Sequence, residues 1–373
     1  MTDERGAAVA TLASLTGLGA GRLGLLLAHH DPVDALRRLV VAEPLHPMVE
    51  HALRPVASAV RGSARAASVD DMARRLTDAG VAVVLPTDPD FPAQLTLDPD
   101  PPGALFVRGD LGVLAARRVG VIGTRNATPS GLATARELGE ALGDAGVAVV
   151  SGLARGIDAA AHAGVRRSAG GSAVAVVGCG PDRPYPSRNA ELWGWVASAG
   201  LLVSEYPPGT EPHAWRFPRR NRILAALCEI LVVVESRERG GSLITAREAL
   251  DRDVEVMAVP GSPRSRASAG TNRLLVDGAA PITSVDDVLV ALGLDHRRCD
   301  GSTHDPRPRP DAVQERVLEA CRRDGPSTLD ALAVASGLPL ADAALAAARL
   351  ERSGWLVEAG GWLDLAGSRL SGP

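Results

Sequence analysis

The sequence predicts an α/β fold built on a doubly wound, mostly parallel sheet. Between residue 105 and about residue 294, short apolar runs alternate with segments of helical apolar spacing. The runs are apolar at nearly every position, which is typical of parallel strands covered by helices on both faces. The predicted strands are VGVIG at 119–123, VAVV at 147–150, AVAVVG at 173–178, LLVS at 201–204, EILVVVE at 229–235 and VEVMAVPG at 254–261.

Two smaller domains are predicted beside the sheet domain, which spans 67–294. Residues 1–66 are rich in Ala and Leu at helical spacing and predict a small helical bundle. The glycine-containing turn at 17–19 is either a helix-hairpin-helix, whose amides bind a DNA phosphate, or a tight connection between helices. Residues 295–311 are polar and rich in proline and predict a linker. Residues 312–373 offer two or three helices and then two short strands, which indicates a winged helix.

The composition excludes several classes of protein. All 40 basic residues are arginines, so the chain has neither the lysine of a P-loop nor one for Schiff-base chemistry. No GxSxG motif supports a hydrolase nucleophile. The cysteines form no CxxC pair and no histidine has a partner at metal-ligand spacing, so no metal site is expected. No signal peptide and no apolar run of roughly 18 residues is found, so a cytoplasmic protein without membrane contact is expected.

The loop after the first predicted strand, GTRNATPSG at 123–131, is similar to a phosphate cradle. Gly123 permits close approach of the backbone, Thr124 and Arg125 supply polar groups, and Ser130 is expected to cap the next helix. The spacing is not GxGxxG, and Ser151 ends the second strand where a ribose-binding acid is needed. No dinucleotide cofactor is therefore expected.

Two further strand-to-helix loops repeat this design. In SGLARGIDAAAH at 151–162, Ser151 follows a strand, Arg155 adds charge, and Asp158 is expected to cap a helix instead of acting as an acid. In SRERGGSLITAREAL at 236–250, Gly241 and Ser242 stand at a predicted helix start. Each loop is either an anion site or a tight turn that needs glycine, and three of them on one sheet edge favour an anion site.

A cluster of arginines, RFPRRNR at 216–222, precedes an apolar helix. Arg219, Arg220 and Arg222 are expected around its N-terminal turn, where cations oppose the helix dipole. A negative partner is therefore predicted, either a buried carboxylate network or a bound phosphate chain. Trp215 and Phe217, beside the cluster, are candidates to support a base or to plug the core. A net charge of -4 does not exclude a polyanion, since binding follows the local field of a groove.

Eight segments in sequence order resemble the motifs of one family. They are GTRNATPSG, VVSGLARGIDAAAH, VAVVGCGPDRPYP, LLVSEYPPGTEP, FPRRNRILAAL, GGSLITAREAL, AVPG and SAGTNRLLVDGA. The family is DNA-processing protein A, called DprA or Smf, and the resemblance covers about residues 83–290. The flanking regions match it only in type, as a SAM- or helix-hairpin-helix-like domain and a winged-helix-like domain.

The resemblance implies an extended Rossmann-like domain that binds single-stranded DNA. It also implies a homodimer that helps to load the RecA recombinase onto incoming strands during natural transformation. The DNA contacts that the resemblance implies are Gly123, Thr124, Arg125, Ser151, Arg155, Arg219, Arg220 and Arg222. Our own interpretation of the third loop adds Gly241 and Ser242.

One departure from the family pattern is visible, at Arg155, and the charges of the C-terminal domain bear separately on what is expected. Arg155 stands where many relatives carry lysine, which keeps the charge and adds a planar fork for phosphate oxygens. The candidate recognition helix at 338–354 has Asp342 near its start and Arg349 and Arg352 only near its end. Base-reading helices usually contact DNA near their N-termini, so an ancillary or protein-interaction role is predicted for this domain.

The leading hypothesis is a sequence-independent binder of single-stranded DNA that is not an enzyme and needs no cofactor. The alternative is a phosphoribohydrolase that cleaves nucleoside monophosphates with an arginine and a glutamate around a PGGxGTxxE motif. The nearest segment here is RGGSLITAREA, in which Glu248 is the candidate acid. That motif is broken in several places, and it leaves the basic cluster unexplained.

Overall fold

The chain divides into two compact units, residues 1–297 and 298–373. The structure is a computed structural model that describes residues 4–294, 307–308 and 310–366. Most of the linker predicted at 295–311 lies outside the described residues. The division near residue 297 falls close to the predicted start of that linker, and the other domain boundaries stay predictions.

The first unit begins with six helices. They are α1 (Glu4–Ser14), α2 (Ala20–His29), α3 (Pro32–Val41), α4 (Pro47–Leu53), α5 (Ala57–Ala66) and α6 (Val69–Ala79). Leu12, Leu26 and Leu39 are among the side chains of their shared core. In the turn between α1 and α2, Gly17 has a φ of +90° and Leu18 is buried, as a tight connection requires.

A sheet of nine strands follows, in the order β1-β2-β6-β5-β4-β3-β7-β8-β9. The pairs β1/β2 and β2/β6 are antiparallel and all other pairs are parallel, which confirms the predicted doubly wound, mostly parallel sheet. The strands are β1 (Ala82–Val84), β2 (Leu105–Gly109), β3 (Arg118–Ile122), β4 (Ala148–Ser151), β5 (Ala173–Val176), β6 (Leu201–Ser204), β7 (Ile230–Val233), β8 (Glu255–Ala258) and β9 (Ala280–Pro281).

Helices cover both faces of the sheet. One layer contains α8 (Pro129–Asp144), α9 (Ile157–Val165), α10 (Ala190–Ala199) and α14 (Val285–Ala291), and the other contains α7 (Ala93–Thr96), α11 (Arg216–Ala226), α12 (Gly241–Leu250) and α13 (Ala269–Val276). Val149 faces the first layer and its neighbour Val150 faces the second. Because consecutive strand residues enter different cores, the interior positions of β3 to β8 are apolar, and polar residues such as Arg118 and Ser151 stand at strand ends.

The N-terminal helices pack against the β1–β2 end of the sheet. Val9 on α1 and Leu76 on α6 share a core with Phe106 on β2. The backbones also meet closely, because a Cβ on Gly103 would lie 2.5 Å from the Cα of Gly24. The helical region and the sheet therefore form one compact unit, although the sequence suggests separate domains.

The described part of the second unit forms three helices and a small antiparallel sheet of order β10-β12-β11. Its elements are α15 (Ala312–Asp324), β10 (Ser327–Thr328), α16 (Leu329–Ser336), α17 (Leu340–Arg352), β11 (Leu356–Ala359) and β12 (Trp362–Leu365). Gly360 and Gly361 both have positive φ and form the turn between β11 and β12. This is the arrangement of a winged helix.

No single helix of the described residues has the length and apolar character needed to span a bilayer. The consecutive helices α16 and α17 are long and apolar enough only when they are taken together, and the chain bends by 109° between them.

Candidate functional site

A cleft of about 520 Å³ lies at the carboxyl ends of the central strands. Strand β3 has β4 on one side and β7 on the other, so the order of the sheet reverses here. Open α/β sheets bind ligands at such a switch point. The cleft is lined by the loop after β3, the start of α9, the first turns of α11, and the segment from 237 to the start of α12.

A second cavity of about 260 Å³ adjoins the cleft. The two share Arg125, Ala154, Tyr185, Phe217 and Arg220. The second cavity adds Arg155 and Arg188, so it extends the site toward the loop after β5. All three predicted anion loops and the basic cluster therefore meet at one sheet edge.

The loop after β3 is held in place by Glu235, at the end of β7. Its carbonyl oxygen accepts a hydrogen bond from the Thr124 amide at 2.7 Å, and its buried carboxylate accepts one from the Thr128 amide at 2.9 Å. Space for that carboxylate exists because residue 131 is glycine, where a Cβ would lie 2.3 Å from the Glu235 carboxyl carbon. Glu235 therefore positions the loop. Its only signal in the sequence was that a charged residue ends an apolar run.

Helix α8 is capped by Thr128, whose hydroxyl accepts a hydrogen bond from the Gly131 amide at 3.1 Å. The predicted cap, Ser130, is wrong. Proline is favoured at the first helical position because its missing N–H would have no partner there. Pro129 takes that position, so the cap is the residue before it.

Arg125 projects into both cavities and stands over an aromatic ring. Its guanidinium carbon lies 5.3 Å from the centroid of Phe217, which stacks with Tyr185 at 5.4 Å. Phe217 is only partly buried and lines the cleft. It is therefore a cleft residue and not a core plug, and its ring orients Arg125 through cation–π attraction.

In the loop after β4, Ser151 is fully buried and its hydroxyl donates to the Val121 carbonyl at 2.6 Å. Its hydroxyl is therefore engaged within the sheet, and the DNA contact that the family resemblance implies for Ser151 stays a prediction. Arg155 is exposed and donates to the Asn126 side chain at 2.9 Å, which links the loops after β3 and β4.

Helix α9 begins at Ile157, after Gly156 with a φ of +86°. A Cβ on Gly156 would lie 2.3 Å from the Thr124 carbonyl oxygen. Asp158 is therefore in the first turn and not at the cap position that the sequence predicts. It is buried, and burial raises the pKa of its carboxyl group against the opposing effect of Arg220 and of hydrogen bonds from the amides of Ala154 and Gly152.

The basic cluster divides into exposed and internal arginines. Helix α11 begins at Arg216, within the arginine cluster, and Arg219 is exposed on it. Arg220 is buried and donates to the carbonyl oxygens of Val176 and, at 3.1 Å, Gly152. It lines both cavities, but its guanidinium is held by main-chain oxygens beneath them.

Arg222 is also buried and has two acidic partners. Its guanidinium lies 2.5 Å from the Glu205 carboxylate and 2.8 Å from that of Asp100. The carboxylate network considered from sequence therefore accounts for the charge of Arg222, and the DNA contact implied for it stays a prediction.

The segment before α12 contributes main chain and two arginines. Gly240 is the N-cap residue of α12, and a Cβ on Gly241 would meet no atom within 4 Å, so the start of this helix borders open space. Ser242 is buried and its hydroxyl donates to the Ser236 hydroxyl at 2.8 Å. Arg237 and Arg239 are exposed and line the cleft. Both arginines are present in the segment SRERGG, but the sequence did not show that they line the cleft.

The predicted acid of the alternative enzyme has another role. Glu248 forms an ion pair with Arg252 at 2.6 Å, and Arg252 also binds Asp98 at 2.6 Å. Among the residues that the structure describes, the only acid lining either cavity is the buried Asp158. The cleft therefore lacks the glutamate that the phosphoribohydrolase hypothesis requires.

The comparisons with known proteins mainly cover the first unit. Residues 82–293 match the family model described as DNA recombination-mediator protein A. The DNA processing protein DprA of Bacillus subtilis is 38% identical over 214 residues, which cover 57% of this chain and 72% of the relative.

Two solved structures are also similar. That of DprA from Streptococcus pneumoniae has a TM-score of 0.65 and 28% identity, over 78% of this chain and 98% of that one. That of DNA processing protein A from Helicobacter pylori, described in terms of its single-stranded DNA binding mode, has a TM-score of 0.53 and 28% identity, over 58% and 96% of the two chains.

Proposed function

This chain belongs to the DNA recombination-mediator protein A family, and we propose that it binds single-stranded DNA in the cleft at the switch point of its sheet. In this proposal it acts as a recombination mediator that loads RecA onto incoming strands during natural transformation. It does so in the cytoplasm, as a homodimer and without catalysis. The RecA, dimer and location parts rest on the family alone.

The distribution of charge carries the DNA part of the proposal. Five exposed arginines line the two cavities, namely Arg125, Arg155, Arg188, Arg237 and Arg239. The acid among them, Asp158, is buried and its ionised form is disfavoured by desolvation. A groove with this local field attracts a polyanion although the whole chain carries a net charge of -4.

The chemistry of the lining favours binding that is independent of sequence. Arginine forks and the amides near Gly123 and Gly241 suit phosphate oxygens, which are the same for every nucleotide. The Tyr185 and Phe217 rings offer stacking to any base, because every base has a π face. Neither type of contact reads the edge of a base.

The proposed contacts differ from those expected from sequence. Thr124, Arg125, Arg155 and Arg219 are kept, with the amides near Gly123 and Gly241, and Arg188, Arg237 and Arg239 are added. Ser151, Arg220, Arg222 and Ser242 support the site from beneath, because their polar groups are bonded inside the protein.

The test is a titration of a fluorescent oligo-dT by anisotropy at several salt concentrations. Each phosphate neutralised on a single strand contributes about 0.7 to the negative log-log slope, so a binder using several arginines gives a steep slope. Arg125→Ala with Arg239→Ala is expected to reduce both the affinity and the slope. Arg273→Ala is the matched control, because Arg273 is exposed but paired with Asp277 at 3.0 Å. A flat slope for the wild-type protein contradicts the proposal.

A second assay tests the recombinase part. The wild-type protein is expected to shorten the lag before RecA hydrolyses ATP on a single strand. A chain that binds the strand but leaves the lag unchanged would restrict the proposal to DNA binding.

A further inference from the structure

An exposed tryptophan stands at the rim of the cleft, beside the carboxyl end of β6. Trp215 directly precedes α11 and its residue is 57% exposed. Its neighbours in sequence, Ala214 and Phe217, line the cleft, whereas Trp215 itself lies outside the lining. Single exposed apolar residues are ordinary on protein surfaces, so exposure alone assigns no role to this ring.

What distinguishes Trp215 is that its ring is held from behind. Tyr206, two residues beyond β6, meets it edge to face with 6.4 Å between centroids and 87° between ring planes. The Arg216 guanidinium carbon lies 5.0 Å from the Trp215 centroid and 4.6 Å from that of Tyr206, and the guanidinium donates to the Glu211 carbonyl. We name Tyr206, Arg216 and Trp215 the outer stack.

The charges around the outer stack favour an anion. Arg219 is exposed one helical turn beyond Trp215, and residues four apart lie on the same side of a helix. The nearby acids already have cationic partners, since Glu211 pairs with Arg183 at the surface at 3.2 Å and the buried Glu205 pairs with Arg222 at 2.5 Å. A phosphate near Arg219 therefore meets little opposing charge.

We infer that Trp215 stacks on one base of the single strand where the strand leaves the cleft, with Arg219 on an adjacent phosphate. This inference rests on the proposed function and gives the strand a path. The carboxyl ends run in the order β7, β3, β4, β5, β6, so the path crosses four strand spacings, roughly 20 Å. It passes from Arg239, by Tyr185 and Phe217, to Trp215.

Because the Trp215 ring is already held in place, stacking of a base on it gives a larger net gain in affinity. A side chain that is already ordered loses less conformational entropy when a base covers it. Base stacking on an aromatic side chain is sequence-tolerant, so the outer stack adds affinity without adding base specificity.

The test uses tryptophan fluorescence during titration with oligo-dT, beside the anisotropy assay. Trp215→Leu is expected to weaken binding about 5- to 100-fold, the range of one base stack, with an unchanged salt slope because no phosphate contact is lost. Trp215→Phe keeps a ring and is expected to retain most of the affinity, but to lose most of the fluorescence quenching. Trp362→Phe is the control for quenching, since Trp362 is 54% exposed on the second unit.

The outcomes separate the two proposals. If the wild-type protein binds but Trp215→Leu binds equally well, or if quenching disappears in Trp362→Phe and persists in Trp215→Phe, the outer stack is wrong and the cleft proposal stands. A Trp215→Leu variant with a reduced salt slope also contradicts stacking. Failure of the wild-type protein to bind any oligonucleotide overturns the proposed function itself. Equal thermal unfolding of the variants excludes a folding defect.

Discussion

Helices α11 and α17 both carry arginines, but they place them at opposite ends. In α17, Asp342 is in the first turn and Arg349 and Arg352 are in the last, where they complement the helix dipole, and only Glu351 opposes it. In α11, the arginines occupy the first two turns, where they oppose it. A helix whose charges suit its own dipole needs no external ion, whereas α11 needs acceptors. The difference indicates that α11 was shaped by its surroundings and, in the proposed function, by the strand, since functional sites are where local rules are broken.

The residues around α11 provide acceptors for only some of its arginines. Arg222 has Glu205 and Asp100, and Arg220 has two carbonyl oxygens. Arg219 is exposed, and its sequence neighbours Pro218 and Arg220 line the cleft. The comparison therefore predicts internal arginines that control stability and an exposed one that controls binding, in contrast to α17, whose arginines control neither.

The largest expected effect is on stability. Arg222→Ala leaves the buried Glu205 without its partner, and breaking a buried pair in this way costs about 3–5 kcal/mol of unfolding free energy. Arg349→Ala, at the surface of α17, is expected to change stability by less than about 0.5 kcal/mol. Urea denaturation followed by circular dichroism measures both. Combining Arg222→Ala with Glu205→Gln should restore part of the loss, and an Arg222→Ala protein as stable as wild type would refute the internal role.

The second-largest expected effect is a loss of stability of the first unit in acid. His162 lies fully buried in α9, and burial lowers its pKa from 6.5 to about 4. The folded state then binds fewer protons than the unfolded one. The stability contribution is complete above pH 6.5 and falls by up to about 3 kcal/mol as the pH drops to 4. Urea midpoints between pH 7 and 4 are expected to fall less in His162→Gln. Parallel pH profiles for the variant and the wild type would show that His162 is not the group responsible.

The binding contrast comes third. Arg219→Ala with Arg239→Ala is expected to weaken oligo-dT binding roughly 100-fold, about 1.4 kcal/mol for each charged contact. The salt slope should decrease by about 1.4 for the two phosphates released. Arg349→Ala with Arg352→Ala is expected to change neither quantity. Equal losses from the two pairs of substitutions would show that the second unit shares in strand binding.

The smallest effect tests the dipole argument directly. Asp342→Arg places on α17 the charge that α11 carries at its start, and is expected to destabilise the second unit by about 0.5 kcal/mol at low salt. Differential scanning calorimetry in low and high salt measures it, and the difference should disappear in high salt because the interaction is screened. A gain of single-strand affinity in this variant would mean that a basic helix start suffices for binding.

Much of the fold follows from local patterns. Continuous apolar runs marked β3 to β8, because a strand buried on both faces tolerates little else. The short strands β1, β2 and β9 were missed as separate elements, since two or three apolar residues are also common in loops. Their pairing, antiparallel for β1 and β2, arises from the packing of distant segments.

The sequence by itself determined which loops end the central strands and which of them carry glycine, arginine and helix starts. Only the tertiary structure decided what each polar group does. Asp100 meets Arg222 across 122 positions of the chain, and Glu235 meets Thr128 across 107. A local pattern shows which side chains carry charge, but neutralisation and burial depend on partners that only folding brings within bonding distance. For that reason Ser151 and Arg222 turned inward, whereas Arg188, Arg237 and Arg239 joined the cleft.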